Sequence, residues 1–279
     1  MKRRPRPLTS AVFFPFDLFG SGGAAAGVNL LADELREILA DNRRETVPTR
    51  ASSYSPHVRL IEPDFETLAD LTDWRKRGRE LARDALQQGH FLLWASGNHL
   101  GILPVYDELA GDEGTVIVQF DAHLDIHHFR DCTEELSHGN FLLHCAGPLP
   151  SVVNVGHRDL LLPADYIAKT FTAAIPATRL ALDPLGVIEE VRALTAKAER
   201  VFLDIDCDVF DPTFFPAVSQ PVPFGPAPAA LLALIDAIWS ERVAGLFVSE
   251  FDPARDREDR SLATLMWLAE YLLLRRYGG

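Results

Sequence analysis

The feature that most constrains this chain is an alternation. Short runs rich in β-branched and aromatic residues, each bounded by turn formers, are separated by longer segments whose apolar residues recur at helical spacing. The spacing predicts strands over residues 11–16, 58–61, 91–95, 115–120, 152–155, 179–182, 201–205 and 243–248. It predicts helices over 26–40, 68–88, 100–109, 139–145, 185–198, 228–241 and 262–275. Several strand runs are apolar nearly throughout, as expected when helices cover both faces of a sheet. Such a pattern implies parallel strands joined by crossover helices. In the last helix Leu265, Leu268, Ala269 and Leu272 form one stripe, which reads as core packing rather than a partner surface. The polar segment 41–56 reads as a mobile loop near an active-site rim. With 279 residues and 47% apolar content, a single domain over 1–279 is expected.

Charge narrows the partners. Forty acidic residues against 27 basic ones give a formal net charge of −13, and a surface of that sign repels phosphate backbones, so nucleic acid is not expected. Cys132, Cys145 and Cys207 are odd in number and irregularly spaced, which yields neither a disulfide framework nor a CxxC zinc site and fits a reducing cytoplasm. The opening Met1-Lys2-Arg3-Arg4 and the apolar stretch after it have some look of a secretion signal, but Pro15 and Asp17 interrupt the apolar core. No apolar run approaches the roughly 20 residues that span a bilayer.

Open parallel sheets bind ligands at the carboxyl ends of their strands. There the sequence places Asp121-Ala122-His123-Leu124-Asp125. If the backbone stays extended, Asp121, His123 and Asp125 share one face. After the run at 201–203 comes Asp204-Ile205-Asp206-Cys207-Asp208-Val209-Phe210-Asp211-Pro212, whose alternation again stacks carboxylates and turns Cys207 away. Burying so many like charges without a cation would cost many kcal/mol, and a bound metal resolves the conflict. A third piece is Ser96-Gly97-Asn98-His99, where glycine permits a tight turn that aims an imidazole over the sheet end. Alone, His99 reads as a turn histidine; beside the other two pieces it reads as a ligand.

Together these pieces resemble the ureohydrolase family of arginase, agmatinase and formiminoglutamase, with its Gly-Gly-Asp-His, Asp-Ala-His-x-Asp and Asp-x-Asp-x-x-Asp-Pro motifs in the same order, each after a strand. The resemblance covers roughly residues 90 to 255. It implies an arginase-like, three-layer α/β/α fold with a mostly parallel central sheet of about eight strands. It implies one metal held by His99, Asp121, Asp125 and Asp206 and a second by His123, Asp121, Asp206 and Asp208, with Asp121 and Asp206 bridging. Asp204 then stands behind the ligands, where a serine is usual. An oxygen-rich set with only two imidazoles favours manganese over zinc, two Mn2+ per chain. Such a pair activates water for attack on a guanidinium or amidine carbon. Ser137-His138-Gly139 looks like the family's proton-shuttle segment, which makes His138 the general acid. Val248-Ser249-Glu250-Phe251-Asp252-Pro253 is similar to the family's Glu-x-x-Pro, which makes Glu250 the anchor for a cationic substrate. Gly156-His157-Arg158-Asp159 also looks like a family loop, its arginine structural rather than catalytic. Family members commonly assemble as trimers or hexamers.

Departures from the pattern bear on the substrate. Asn98 replaces the aspartate beside the first ligand. His127 occupies the place of an asparagine that helps hold the substrate carboxylate. Glu134, Glu135 and Leu136 replace polar residues that grip an amino-acid head group, and Leu161 replaces an aspartate that holds the α-amino group. Arginine is therefore a poor candidate, and acidic residues at the rim suit agmatine or another guanidine with a cationic or neutral tail. Against this, Val218-Ser219 in the run 216–221 is similar to the formiminoglutamase branch, whose substrate is anionic. Hydrolysis of a formimino compound therefore stays open, as does a non-catalytic arginase-fold protein with a degenerate site. A mononuclear zinc enzyme on the same fold is disfavoured by His99 together with the full carboxylate set.

Overall fold

All eight strands among the residues that the computed structural model describes (8–20, 22–41, 46–47, 49–128 and 135–278) join in a single parallel sheet. In chain order the elements are β1 (Thr9–Phe14), α1 (Ala25–Asp41), β2 (Val58–Ile61), α2 (Leu68–Thr72), α3 (Trp74–Gln87), β3 (Phe91–Ser96), α4 (Leu103–Leu109), β4 (Thr115–Phe120), β5 (Ser151–His157), α5 (Ala164–Ile167), β6 (Ala173–Pro176), α6 (Ala177–Leu182), α7 (Pro184–Thr195), β7 (Arg200–Asp206), α8 (Pro228–Ile238), β8 (Val243–Ser249) and α9 (Arg260–Tyr277). The sheet order is β2-β1-β3-β8-β7-β4-β5-β6. Because every pairing is parallel, all strand carboxyl ends lie along one edge, with β3, β8, β7 and β4 adjacent at its centre.

Alternation along each strand sorts its side chains between two helical layers. On one face Val116, Val118 and Phe120 of β4 and Val201, Leu203 and Ile205 of β7 share a buried cluster with residues of α1, α6, α7, α8 and α9. On the other, Ile117 and Phe202 join Trp74 and Ala82 of α3 and Leu103, Val105 and Leu109 of α4. Leu265, Leu268 and Leu272 of α9 are buried, so the predicted stripe is core; each leucine taken fully out of water contributes about 2 kcal/mol. The layers are therefore helix, sheet, helix. Gly78 lets α3 meet α4 closely, since a Cβ there would fall 2.7 Å from the Pro104 ring.

Several predicted elements shift for physical reasons. Residues 179–182 are helix α6, not a strand, and the edge strand is the preceding Ala173–Pro176. Arg179, Leu180, Ala181 and Leu182 are strong helix formers, whereas Ala173 and Ala174 carry little β signal. Pro176 is tolerated in β6 because that strand lies at the sheet edge. The predicted helix 68–88 breaks at Asp73 into α2 and α3, α2 opening with a Thr67/Asp70 capping box. The helix expected over 139–145 is only a 3-10 turn, Phe141–His144, and that over 100–109 begins as a 3-10 turn, His99–Ile102. β1 ends at Phe14, before Pro15, which has no N–H for a ladder.

The segment expected at the active-site rim lies elsewhere. Residues 42–45 and 48 fall outside the described residues, but 49–57 leads into the amino end of β2, the side of the sheet away from the strand carboxyl ends. It makes 3-10 turns around a fully buried Tyr54, whose hydroxyl donates to Glu270 of α9.

Candidate metal centre

Three strand ends deliver the ionisable groups. After β3, Gly97 packs on the segment that follows β1: a Cβ there would lie 2.3 Å from the Phe16 carbonyl oxygen. Close approach, not a left-handed backbone, is what demands glycine. Asn98 ties the same turn down, its N–H donating to the Phe16 carbonyl (3.2 Å) and its side-chain Nδ2 to the Leu18 carbonyl (2.7 Å). His99 follows with no exposed surface.

The carboxylates after β4 do not converge by pleat alternation as expected. β4 stops at Phe120 and the chain bends through 121–125, with Asp125 in the left-handed region at φ 49°. A non-glycine residue held there costs about 1–3 kcal/mol and marks a place where surrounding contacts dictate the backbone. Side-chain to backbone hydrogen bonds do the gathering. Asp121 Oδ1 accepts the His123 N–H at 2.6 Å, Asp208 Oδ1 accepts the Ala122 N–H at 3.1 Å, and Asp206 Oδ1 accepts the Asp208 N–H at 2.9 Å. Cys207, between the last two aspartates, turns into the apolar core on the opposite side. Asp211 serves its own loop, accepting from the N–H groups of Thr213 and Phe224.

Two groups of ligand atoms result. His99, Asp121 and Asp206 form one, and Asp121, His123 and Asp208 the other; within each, one ligand atom per residue lies inside 4.8 Å of the rest. His99 Nδ1 is 3.0 Å from Asp125 Oδ2, 3.1 Å from Asp206 Oδ2 and 3.3 Å from Asp121 Oδ2. His123 Nδ1 is 2.8 Å from Asp208 Oδ2 and 3.9 Å from Asp121 Oδ1. Despite these short distances, His99 Nδ1 and Asp121 Oδ2 are buried without a hydrogen-bond partner. Polar atoms that converge without bonding one another suit a shared cation.

Charge tells the same story. Burial, then repulsion from Asp125, lifts the Asp121 carboxyl to about 7. Burial and Asp208 push Asp206 well above its ordinary value. Burial would lower the pKa of His123, but Asp208 and Asp121 outweigh it and raise it to about 10. Burial likewise opposes, and Asp204, Asp121 and Asp125 overcome, the rise at His99. In this cluster protons are retained where cations would otherwise balance the charge. The residues present therefore fit a pair of hard divalent ions.

Beside the cluster lies a cleft of about 130 Å³ lined by His123, Asp125, His127, His138, Asp206, Asp208, Gln220 and Glu250. A larger groove of about 410 Å³ between α8 and α9 is walled by Phe210, Leu231 and Trp267 and has no ionisable lining; the chemistry belongs to the smaller one. Glu250, at the end of β8 with φ 63°, accepts the His99 N–H on Oε1 at 3.0 Å, and the same oxygen lies 3.2 Å from His138 Nδ1. That contact raises the His138 pKa above the usual imidazole value. His127 Nε2 is 3.2 Å from Asp159 Oδ2, and Asp159 Oδ1 is fixed by the N–H groups of Leu161 and Leu162. Leu161 itself is 74% exposed. Glu135 is exposed; Cys132 and Glu134 lie outside the described residues.

Arg158 is structural, as expected. Nη1 donates to the carbonyls of Gly156 and Val209 at 2.9 and 2.7 Å, and Nη2 to those of Asp208 and Val222 at 2.6 and 3.0 Å. Two residues escaped the sequence reading. Gln220 lines the cleft from the run 216–221, which the sequence singles out for Val218-Ser219 and not for its glutamine. Tyr106 donates its hydroxyl to Asp204 at 2.7 Å, but at helical spacing in α4 it reads as core.

An all-parallel three-layer sheet with a carboxylate–imidazole cluster at its central strand ends defines an arginase-like α/β class. A hypothetical agmatinase from Burkholderia thailandensis shares this fold, with a TM-score of 0.77 at 21% identity over 98% of this chain and 86% of that one. Sequence carries the assignment further, because residues 11–274 match the Arginase family, and the chain belongs to that family of hydrolases. It is 28% identical over 257 residues to a formimidoylglutamase from Enterobacter sp. (strain 638), 84% of this chain and 76% of that protein. It is 29% identical over 180 residues to an N(1)-aminopropylagmatine ureohydrolase from Thermus thermophilus, 63% of this chain and 59% of that protein.

Proposed function

We propose that the protein is a dinuclear, manganese-dependent hydrolase that cleaves a C–N bond of a guanidino or amidino compound. In this reading His99, Asp121, Asp125 and Asp206 surround one cation, and His123, Asp121, Asp206 and Asp208 the other. The observation that carries it is the overlap of two ligand groups on one carboxylate, Asp121. Four carboxylates balance two dications, and so many oxygens suit manganese better than zinc. Bound there, the pair would supply Lewis acidity toward water and the target carbon.

The chain's own residues do the rest. Glu250 binds the planar cationic head, a carboxylate matching such a group in charge and shape. His138, kept protonated beside Glu250, gives its proton to the leaving nitrogen as the C–N bond breaks, while the carbon keeps the oxygen of water. His127, braced by Asp159, meets the substrate's tail. Among the described residues the cleft is lined by no arginine or lysine, which favours an agmatine-like or other non-arginine guanidine. The N(1)-aminopropylagmatine ureohydrolase among the relatives has a name in keeping with that choice.

Cleavage of a formimino compound is the second reading, favoured by the formimidoylglutamase relative that matches over 84% of the chain and by Val218-Ser219. Products separate the two, since a guanidine gives urea and a formimino group gives formamide. The test is metal analysis after expression in manganese, followed by a product screen across both substrate classes. Two ions per chain with urea release supports the first reading, formamide release the second, and substoichiometric metal without product sinks both. The same reading takes 1–279 as one domain, a cytoplasmic trimer or hexamer, which light scattering checks. No described helix is long and apolar enough to cross a membrane.

A further inference from the structure

The ring nitrogen of His99 that faces away from the cluster has a partner of its own. Nδ1 meets Asp121, Asp125 and Asp206, whereas Nε2 lies 3.2 Å from Asp204 Oδ2. That same oxygen accepts the Tyr106 hydroxyl at 2.7 Å. Asp204 and Tyr106 have no exposed surface, and among the described residues no arginine or lysine pairs with Asp204. The Phe141 ring lies 4.8 Å from the His99 ring and 5.7 Å from that of Tyr106, fixing the imidazole plane from the side.

A carboxylate buried this deeply is costly even with two polar partners, which points to a task that a neutral side chain would not perform. Packing offers none, because an asparagine would accept from Tyr106 equally well. The task on offer is electrostatic. An imidazole that donates one N–H to a carboxylate is held in a single tautomer and orientation, and its other nitrogen becomes a stronger metal donor.

We infer that Asp204 is a positioning residue for the metal site, locking His99 as the Nε2–H tautomer with its Nδ1 lone pair aimed at Asp121, Asp125 and Asp206, while Tyr106 holds Asp204 in place. The inference rests on reading His99 as a ligand. It is also selective. Across the sheet Gln119 is the register partner of both Asp204 and Asn154. Asn154 Nδ2 donates to Gln119 Oε1 at 3.1 Å and to the His123 carbonyl at 3.2 Å. The polar row thus touches both histidine segments, yet its carboxylate meets only the ring of His99. Loss of Asp204 acts on one ion and spares the other.

The test titrates Mn2+ into chelator-treated wild type, Asp204→Asn and Tyr106→Phe by calorimetry, with metal analysis for stoichiometry and near-UV circular dichroism for folding. Wild type binds two ions. Asp204→Asn keeps one at wild-type affinity and binds the other about 10–100-fold more weakly, the range typical of removing such a supporting group; Tyr106→Phe shows a smaller loss at the same ion. Equal weakening at both ions, or none, overturns the inference. Should Asp204→Asn fail to fold, Tyr106→Phe decides alone: a one-site loss supports the inference and unchanged binding refutes it. Fewer than two ions in wild type would instead bring down the dinuclear reading, and this inference with it.

Discussion

Replacing Arg158 by alanine removes a side chain that ties the loop carrying Asp208 to the end of β5. The guanidinium donates to four carbonyls, at 2.6 to 3.0 Å. Gly156, Asp208 and Val209 are buried residues, whereas Val222 is partly exposed, so its carbonyl can turn to water. A hydrogen bond to a charged donor nets about 1.5–3 kcal/mol. Burial lowers the Arg158 pKa, showing that the cation is itself partly desolvated, so the lower end of that range applies. Three orphaned carbonyls then cost about 4–5 kcal/mol, a large share of the roughly 5–15 kcal/mol that holds a domain together. For a chain of this size the melting temperature should fall by about 10 °C. Arg158→Lys should recover less than half, because a compact ammonium cannot span the carbonyls that the planar fork reaches. Urea unfolding of wild type and both variants, with and without Mn2+, measures the effect. A loss below about 1 kcal/mol for alanine, against the range above, or a lysine variant as stable as wild type, refutes the argument.

Asp121→Asn should release both ions and lower activity by more than the roughly 100-fold that follows loss of a mere supporting group, since its carboxylate belongs to both ligand groups; retention of two ions by metal analysis would contradict that. His138→Asn should keep two ions while slowing turnover about 10²–10⁴-fold, and normal turnover would remove His138 as the acid. Because Glu250 raises the His138 pKa and the acid must be protonated, wild-type kcat/KM should decline as pH rises through that raised value. Glu250→Gln should move the decline to lower pH and raise KM for a cationic substrate far more than it weakens metal binding; an unchanged KM and pH profile would place Glu250 outside the cleft's work.

Much of the candidate site was legible because ligand-type residues sit just past strand ends, where a parallel sheet exposes its ligand edge. His99, Asp121, Asp206 and Asp208 needed only strand placement and motif order. The route by which they meet was not legible. Extended alternation was expected at 121–125, and the structure uses bends, a left-handed Asp125 and side-chain to backbone bonds, one of which, Ala122 N–H to Asp208, joins segments 86 residues apart. Tyr106 was invisible because its partner lies 98 residues away and its helical spacing is that of any core aromatic. The strand expected at 179–182 failed through local propensity, the alanine-rich Ala173–Pro176 being carried into the sheet by pairing with β5. Asn98 looked like a lost carboxylate beside His99; its amide instead holds Leu18, and a carboxylate reaches the imidazole from Asp204.

The order of strands has a consequence for how the protein matures. β8 is inserted between β3 and β7, so without residues 243–249 the remaining strand pairings divide into two halves, β2-β1-β3 and β7-β4-β5-β6. His99 belongs to the first half and the aspartates with His123 to the second. A nascent chain that has not yet delivered β8 holds only part of the cluster on either side, and the last strand to be synthesised both zips the sheet and brings Glu250 to the cleft. The candidate ligand group of His99, Asp121 and Asp206 therefore spans both halves and is complete only once β8 joins them, whereas Asp121, His123 and Asp208 already share one half.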